Sequence, residues 1–134
     1  MEIPQVVRNY VDLFTKDTLD AWTNTFAPDG THTSPNFPKP TPARELKEHF
    51  LPFFDAFPDT NFEMVGLHAI TNNLFVWRWV FRGTNTGPFR NHLATGRKVE
   101  VPGCEFIEIR DGKVSRVQGY TDRLTLLSQI GLAP

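Results

Sequence analysis

A single cysteine, Cys104, has no partner within the chain, which excludes an internal disulfide and a metal site built from cysteines. Lysine and arginine form no cluster, and 14 basic against 15 acidic residues leave a net charge of −1. Binding to nucleic acid needs concentrated positive charge along the phosphates, so none is expected. No apolar run approaches the roughly 20 residues that span a bilayer. The opening Met1-Glu2-Ile3-Pro4 also lacks the basic-then-apolar pattern of a secretory leader. A soluble cytoplasmic protein with no membrane partner is the expectation. Internal repeats, low-complexity tracts and linkers are missing, and residues 1–134 read as one domain. His49, His68 and His92 share no ligand spacing, so no metal is expected. Gly83, Gly87 and Gly96 precede no helix start and make no phosphate-cradling loop.

Aromatic residues, by contrast, are plentiful: twelve Phe, three Trp and two Tyr in a chain of 134 that is 40% apolar. That is more than a minimal core needs and suits a cavity with aromatic walls. Ile3, Val7, Tyr10, Val11 and Phe14 recur at helical spacing. Asp17 or Thr18 can cap a second helix with Leu19, Trp22, Thr23 and Phe26 on one face. Pro28-Asp29-Gly30 predicts a turn, and Thr31 to Ser34 a brief strand at most. After a proline-rich loop from Pro35 to Pro42, a plausible rim or lid, Thr41-Pro42 predicts the start of a third helix. Leu46, Phe50, Phe53, Phe54 and Phe57 form its buried face, and Pro52 should kink or end it early.

Beyond Asp59 the period changes to two. Phe62–Ile70, Leu74–Arg82, Val99–Arg110 and Lys113–Thr121 read as four strands, with tight turns at Asn72-Asn73 and Asp111-Gly112. The layout is α+β: a curved antiparallel sheet forming a cone closed by three N-terminal helices, with a short C-terminal helix. Phe75, Trp77, Trp79 and Phe81 share one face of their strand, and Val76, Arg78 and Val80 the other. Both faces are largely apolar. One must meet the helices, and the other needs cover, which suggests a homodimer through the outer sheet face.

Parity puts Glu105 inward with Ile107 and Ile109, provided Pro102-Gly103 is not a bulge that resets the count. Gln118, Tyr120 and Asp122 share a side of the last strand. Asp122 stands where that strand meets a helix; it suits either proton-transfer chemistry or a plain helix cap before Arg123-Leu124-Thr125-Leu126.

Three blocks carry a family resemblance: Trp79 to Gly87, then Thr95-Gly96-Arg97-Lys98-Val99 with Gly103, and Asp111-Gly112-Lys113-Val114 with Asp122 and Gln129-Ile130-Gly131-Leu132. Together they resemble the SnoaL-like polyketide cyclases of the nuclear-transport-factor-like superfamily, over nearly the whole chain. The resemblance implies a cone around a deep apolar pocket, a homodimer, and intramolecular aldol closure without metal or organic cofactor. It also implies that a carboxylate at Asp122 is the acid/base. Asn85 stands where many relatives have histidine, and Gln118 where a tryptophan is common. Ser34 before Pro35 replaces the base of ketosteroid isomerases, and Val80 and Gly119 replace the two aspartates of limonene-type epoxide hydrolases.

The expected site is therefore Asp122 and His32 as catalytic groups, with Arg78, Glu105, Tyr120, Trp22 and Gln118 contacting an apolar, carbonyl-bearing small molecule. Arg78 could instead pair with Glu105 across the sheet. The function read from these residues is acid/base catalysis without a cofactor: cyclisation, isomerisation or elimination. Two alternatives stand beside it. One is a binding or accessory protein using the same cavity; the other is an epoxide or ester hydrolase, which needs a second carboxylate in the pocket.

Overall fold

Four strands of alternating apolar residues cannot stay in water on both faces, and here they join two more into one six-stranded sheet. The computed structural model describes residues 2–35 and 39–132. The helices are α1 (Gln5–Asp12), α2 (Leu19–Thr23), α3 (Leu46–Ala56) and α4 (Arg123–Gln129). The strands are β1 (Phe26–Thr33), β2 (Thr41–Pro42), β3 (Asn61–Ala69), β4 (Leu74–Thr84), β5 (Lys98–Arg110) and β6 (Lys113–Thr121). Their order in the sheet is β2-β1-β6-β5-β4-β3. Only β1 and β6 run parallel; the other pairs are antiparallel. All four expected strands fall within two residues of their predicted bounds, and the hairpin at Asp111-Gly112 has positive φ at both residues (52° and 76°), the backbone that a two-residue turn between twisted strands needs.

The first strand is longer than expected. Pro28-Asp29-Gly30 lies inside β1, where the register against β6 shifts between Phe26 and Thr31. The excursion is held outside by Arg110, whose Nη2 donates to both Asp29 carboxylate oxygens at 2.8 Å. Thr41-Pro42 is not a helix start but the short β2, paired to Thr31 and His32. A 3₁₀ turn over Ala43–Glu45 then leads into α3. Pro52 does not end α3, which runs four residues further to Ala56. The proposed rim from Pro35 to Pro42 lies partly outside the described residues.

The helices cover the face of β4 that carries Phe75, Trp77, Trp79 and Phe81, all buried. Val7 and Tyr10 of α1, Leu19 and Trp22 of α2, and Leu46 and Phe54 of α3 close over it, again fully or nearly buried. Pairing of β4 with β5 is unbroken from Leu74↔Glu108 to Thr84↔Lys98. Pro102-Gly103 therefore does not reset the alternation, and Val99, Val101, Gly103, Glu105 and Ile107 all point inward. Gly103 is needed there: a Cβ would come within 2.7 Å of the Trp79 ring. The opposite face of β4 carries exposed Arg78 beside Val80.

A second close approach fixes the long β4–β5 connection. Gly87 runs so near the end of α3 that a Cβ would lie 2.0 Å from the Asp55 carbonyl oxygen. Asn85, fully buried, ties the two together. Its side-chain amide donates to the carbonyls of Ala56 (3.3 Å) and Gly87 (2.9 Å), and its carbonyl oxygen accepts from Thr95 N (2.9 Å) and Thr95 Oγ1 (3.1 Å). A buried amide whose groups are all paired is inexpensive to keep and costly to break.

Candidate active site

Between the inward sheet face and the helices lies a cavity of about 530 Å³, within the range of small-molecule sites. Its wall is mostly aromatic. Trp77, Trp79 and Phe81 come from β4, Phe62 from β3, Phe14 from the segment after α1, and Phe50 and Phe53 from α3. These rings lock one another: Phe53 and Phe81 centroids are 4.9 Å apart, Trp77 and Trp79 5.0 Å, and Phe62 stacks on Phe81 at 5.4 Å. Each such pair contributes about 0.5–1.5 kcal/mol beyond its buried area, so the shape of the cavity is set by the same contacts that hold the fold.

Three polar side chains meet at one end of this apolar wall. Glu105 from β5, 8% exposed, accepts at Oε1 from the Tyr10 hydroxyl of α1 at 2.6 Å. Its Oε2 lies 3.0 Å from His32 Nε2 of β1. His32 and Glu105 both line the cavity, whereas Tyr10 sits behind them, fully buried and 5.4 Å from the Trp22 ring. Burial, reinforced by the Glu105 charge and the hydrogen bond to it, holds the Tyr10 phenol well above its ordinary pKa. It therefore stays protonated and donates. A buried carboxylate is tolerable only with such partners.

Gly119 of β6 faces the same end. A side chain there would begin 3.6 Å from Glu105 Oε2 and 3.7 Å from His32 Cε1, so its absence leaves that edge of the pair open to the cavity. Ser34, His49 and Arg90 also line the cavity. Burial lowers the His49 pKa, the charge of nearby His32 lowers it further, and Glu45 opposes both.

Glu105 is where the alternation predicts, and His32, the other candidate, lines the cavity beside it. Asp122 does not. Strand β6 ends at Thr121, which lines the cavity, and the next residue turns outward into α4. There Asp122 is exposed and caps the helix: Thr125 N donates to Oδ1 at 3.0 Å and Thr125 Oγ1 to Oδ2 at 2.6 Å. Those two bonds lower its pKa, the opposite of what a proton donor at neutral pH requires. Asp122 and Glu105 do not share the cavity.

Gln118 and Tyr120 share the outward side of β6 with Asp122, as parity requires. Tyr120 is 49% exposed and packs edge-on against Phe106. Arg78 lies on the outer face opposite Cys104, while Glu105 is opposite Trp77; arginine and glutamate are on different sides of the sheet and cannot pair. Trp22 is buried behind the site, 6.3 Å from His32 and 5.4 Å from Phe50 between ring centroids, and braces the wall without lining it.

Three site residues escaped the sequence reading. Tyr10 looked like one more member of an apolar stripe, although its hydroxyl on a buried helix face was a signal that a partner must exist. His49 has no ligand spacing to mark it in the sequence. Arg90 lies in a connection with no periodicity to place it. Among the described residues no group of three His, Cys, Asp or Glu side chains is arranged to hold a metal ion.

The family model for SnoaL-like polyketide cyclases matches residues 4–130. The chain belongs to the SnoaL-like polyketide cyclase family. Among curated proteins no sequence match is found. Solved structures show the same fold at low identity. AclR from Streptomyces galilaeus, assigned as a hydroxylase, superposes with a TM-score of 0.83 at 22% identity, covering 97% of this chain and 81% of its own. IdmH from Streptomyces antibioticus, assigned as a polyketide cyclase, gives 0.81 at 23% identity, covering 95% of this chain and 96% of that one. A protein with a ketosteroid isomerase-like fold from Catenulispora acidiphila, in complex with trimethylamine, gives 0.78 at 19%, covering 99% and 96%. This SnoaL-like chain thus shares the cone of proteins assigned to different chemistries, and its own reaction must be argued from its own cavity.

Proposed function

We propose that this SnoaL-like protein is an acid/base enzyme that closes or rearranges an apolar, carbonyl-bearing small molecule, with Glu105 and His32 as the proton-transfer pair. The observation that carries this reading is the Tyr10–Glu105–His32 hydrogen-bonded chain set into the end of an aromatic cavity. For an aldol closure, the Glu105 carboxylate takes a proton from the carbon next to a carbonyl. The resulting enolate carbon bonds to a second carbonyl carbon of the same molecule. Its oxygen, now an alkoxide, receives the proton back from the Glu105–His32 pair. One C–H bond and one C=O π bond are lost, one C–C and one O–H bond are gained, and nothing is oxidised. Tyr10 keeps its proton throughout and steadies the carboxylate; the apolar wall strengthens every charge interaction inside it.

Glu105 is the only carboxylate lining the cavity among the described residues, so the second acid that a two-carboxylate hydrolase needs does not come from them. The proposed partner in assembly is a second copy of the chain, seated on the outer sheet face around Val80, Phe106 and Tyr120.

The test is proton exchange. Wild-type protein should catalyse deuterium incorporation next to the carbonyl in aryl methyl ketones such as 2-acetylanthracene, followed by NMR. Glu105→Gln should lower that rate at least about a hundredfold, the usual contribution of a positioned base, while ketone binding persists. Exchange no faster than in buffer for wild type, or undiminished exchange in Glu105→Gln, would leave only the ligand-binding alternative.

A further inference from the structure

Arg90 lines the same cavity as Glu105, and the sheet register indicates how far apart they stand. Glu105 is opposite Trp77 in the register of β4 and β5. Phe89 packs on Phe57 at 5.9 Å, and Phe57 on Phe81 at 5.2 Å, so the Phe89-Arg90 segment stands at or beyond the level of Phe81. Four residues of extended strand separate Trp77 from Phe81, about 13 Å at ~3.3 Å per residue. The carboxylate and the guanidinium thus line one cavity from well-separated levels of the sheet.

Arg90 is the one arginine or lysine among the described residues that lines the cavity. Arg82, Arg110 and Arg116 each meet a carboxylate on the surface. No carboxylate among the described residues pairs with Arg90. It rests over the Phe89 ring at 5.5 Å, and the charged group that acts on it is another cation, Arg123. Its backbone is in the left-handed region, φ 55°, which a side chain other than glycine enters at a cost. A guanidinium on the wall of an apolar hollow, without a carboxylate partner and with a second cation acting on it, attracts an anion, and the Glu105 carboxylate repels one from its own part of the wall.

Resting on the acid/base reading above, we propose that the substrate is a flat amphiphile with a carbonyl at the Glu105 end and an anionic group, a carboxylate, at the Arg90 end. Electrostatics alone would then fix which way round it enters, so the reacting carbon reaches Glu105 and His32 rather than Arg90.

Two probes of one shape separate the charge from the ring: anthracene-2-carboxylate and the neutral 2-acetylanthracene, each titrated by quenching of tryptophan emission. Wild-type protein should bind the carboxylate about tenfold more tightly than the ketone, as one charge-assisted contact at a partly dry site allows, and added salt should erode the difference. Arg90→Met should weaken carboxylate binding far more than ketone binding and so remove the preference, while Arg90→Lys should keep most of it. Equal binding of the two probes by wild type, or an equal loss of both in Arg90→Met, would overturn the anchor. Glu105→Gln separates this from the catalytic reading. A carboxylate preference that persists there while exchange is also undiminished leaves the anchor standing without the chemistry, and lost preference with intact chemistry does the reverse.

Discussion

At the scale of the residue, two carboxylates competed for one role, and their surroundings separate them. Glu105 is enclosed, with one oxygen on a phenol and the other on an imidazole. Asp122 is in water, and both its oxygens are committed to Thr125. A carboxylate that caps a helix from outside touches nothing in the cavity, so Asp122→Asn should leave exchange within about twofold of wild type. Asparagine is also among the better caps, so stability should change by less than about 0.5 kcal/mol. The pair of measurements, NMR exchange and a denaturant titration, discriminates cleanly. A hundredfold loss of exchange in a well-folded Asp122→Asn protein would return the acid/base role to Asp122. In the sequence the two residues looked alike: each was an acid at an uncertain strand register. The alternation of β5 did assign Glu105 inward, but no pattern in β6 says whether Asp122 is its last residue or the first after it.

At the scale of the element, the 85–97 connection shows how irregular backbone is kept in place without a strand ladder. Asn85 supplies the ladder's missing bonds through its side chain, while its own N–H donates to Arg97 O at 2.9 Å and its carbonyl accepts from Gly96 N at 2.8 Å. Asn85→Ala strips the partners from buried groups of Ala56, Gly87 and Thr95. We expect a loss of roughly 2–3 kcal/mol, the desolvation penalty of one or two such groups. Hydrogen exchange should rise first at Thr95 and Gly96. Uniformly unchanged protection would mean that the loop is held by Phe89 and Gly87 packing instead. Because this connection carries Arg90, the same variant should also weaken the preference for an anionic ligand. Sequence alone offers three glycines and Pro88 between Gly83 and Lys98, which suit a longer loop or a bent strand end; the clamp depends on contacts with residue 56, far along the chain.

At the scale of the whole molecule, the cone leaves one sheet face outside the helices, where Arg78 is exposed and Tyr120 half-exposed. A second copy placed there should give a dimer by sedimentation, since a stable interface needs only about 1,200–2,000 Å² in total. Phe106→Glu combined with Tyr120→Glu should yield a monomer with unchanged circular dichroism. A monomeric wild-type protein would end the dimer reading. No helix among the described residues is long and apolar enough to cross a membrane. What the chain determined by itself was local and periodic: the two-residue alternation of β3 to β6, the helical spacing of α1 to α3, the Asp-Gly hairpin, and the inward side of Glu105. These follow from side-chain direction within one element, which neighbours in sequence fix. What only the tertiary structure decided was convergence. Tyr10, His32 and Glu105 come from three elements up to 95 positions apart, and Arg90 of the cavity wall from a fourth. Their meeting depends on how a twisted sheet packs against helices, a property of the assembled layers that no single stretch of sequence contains.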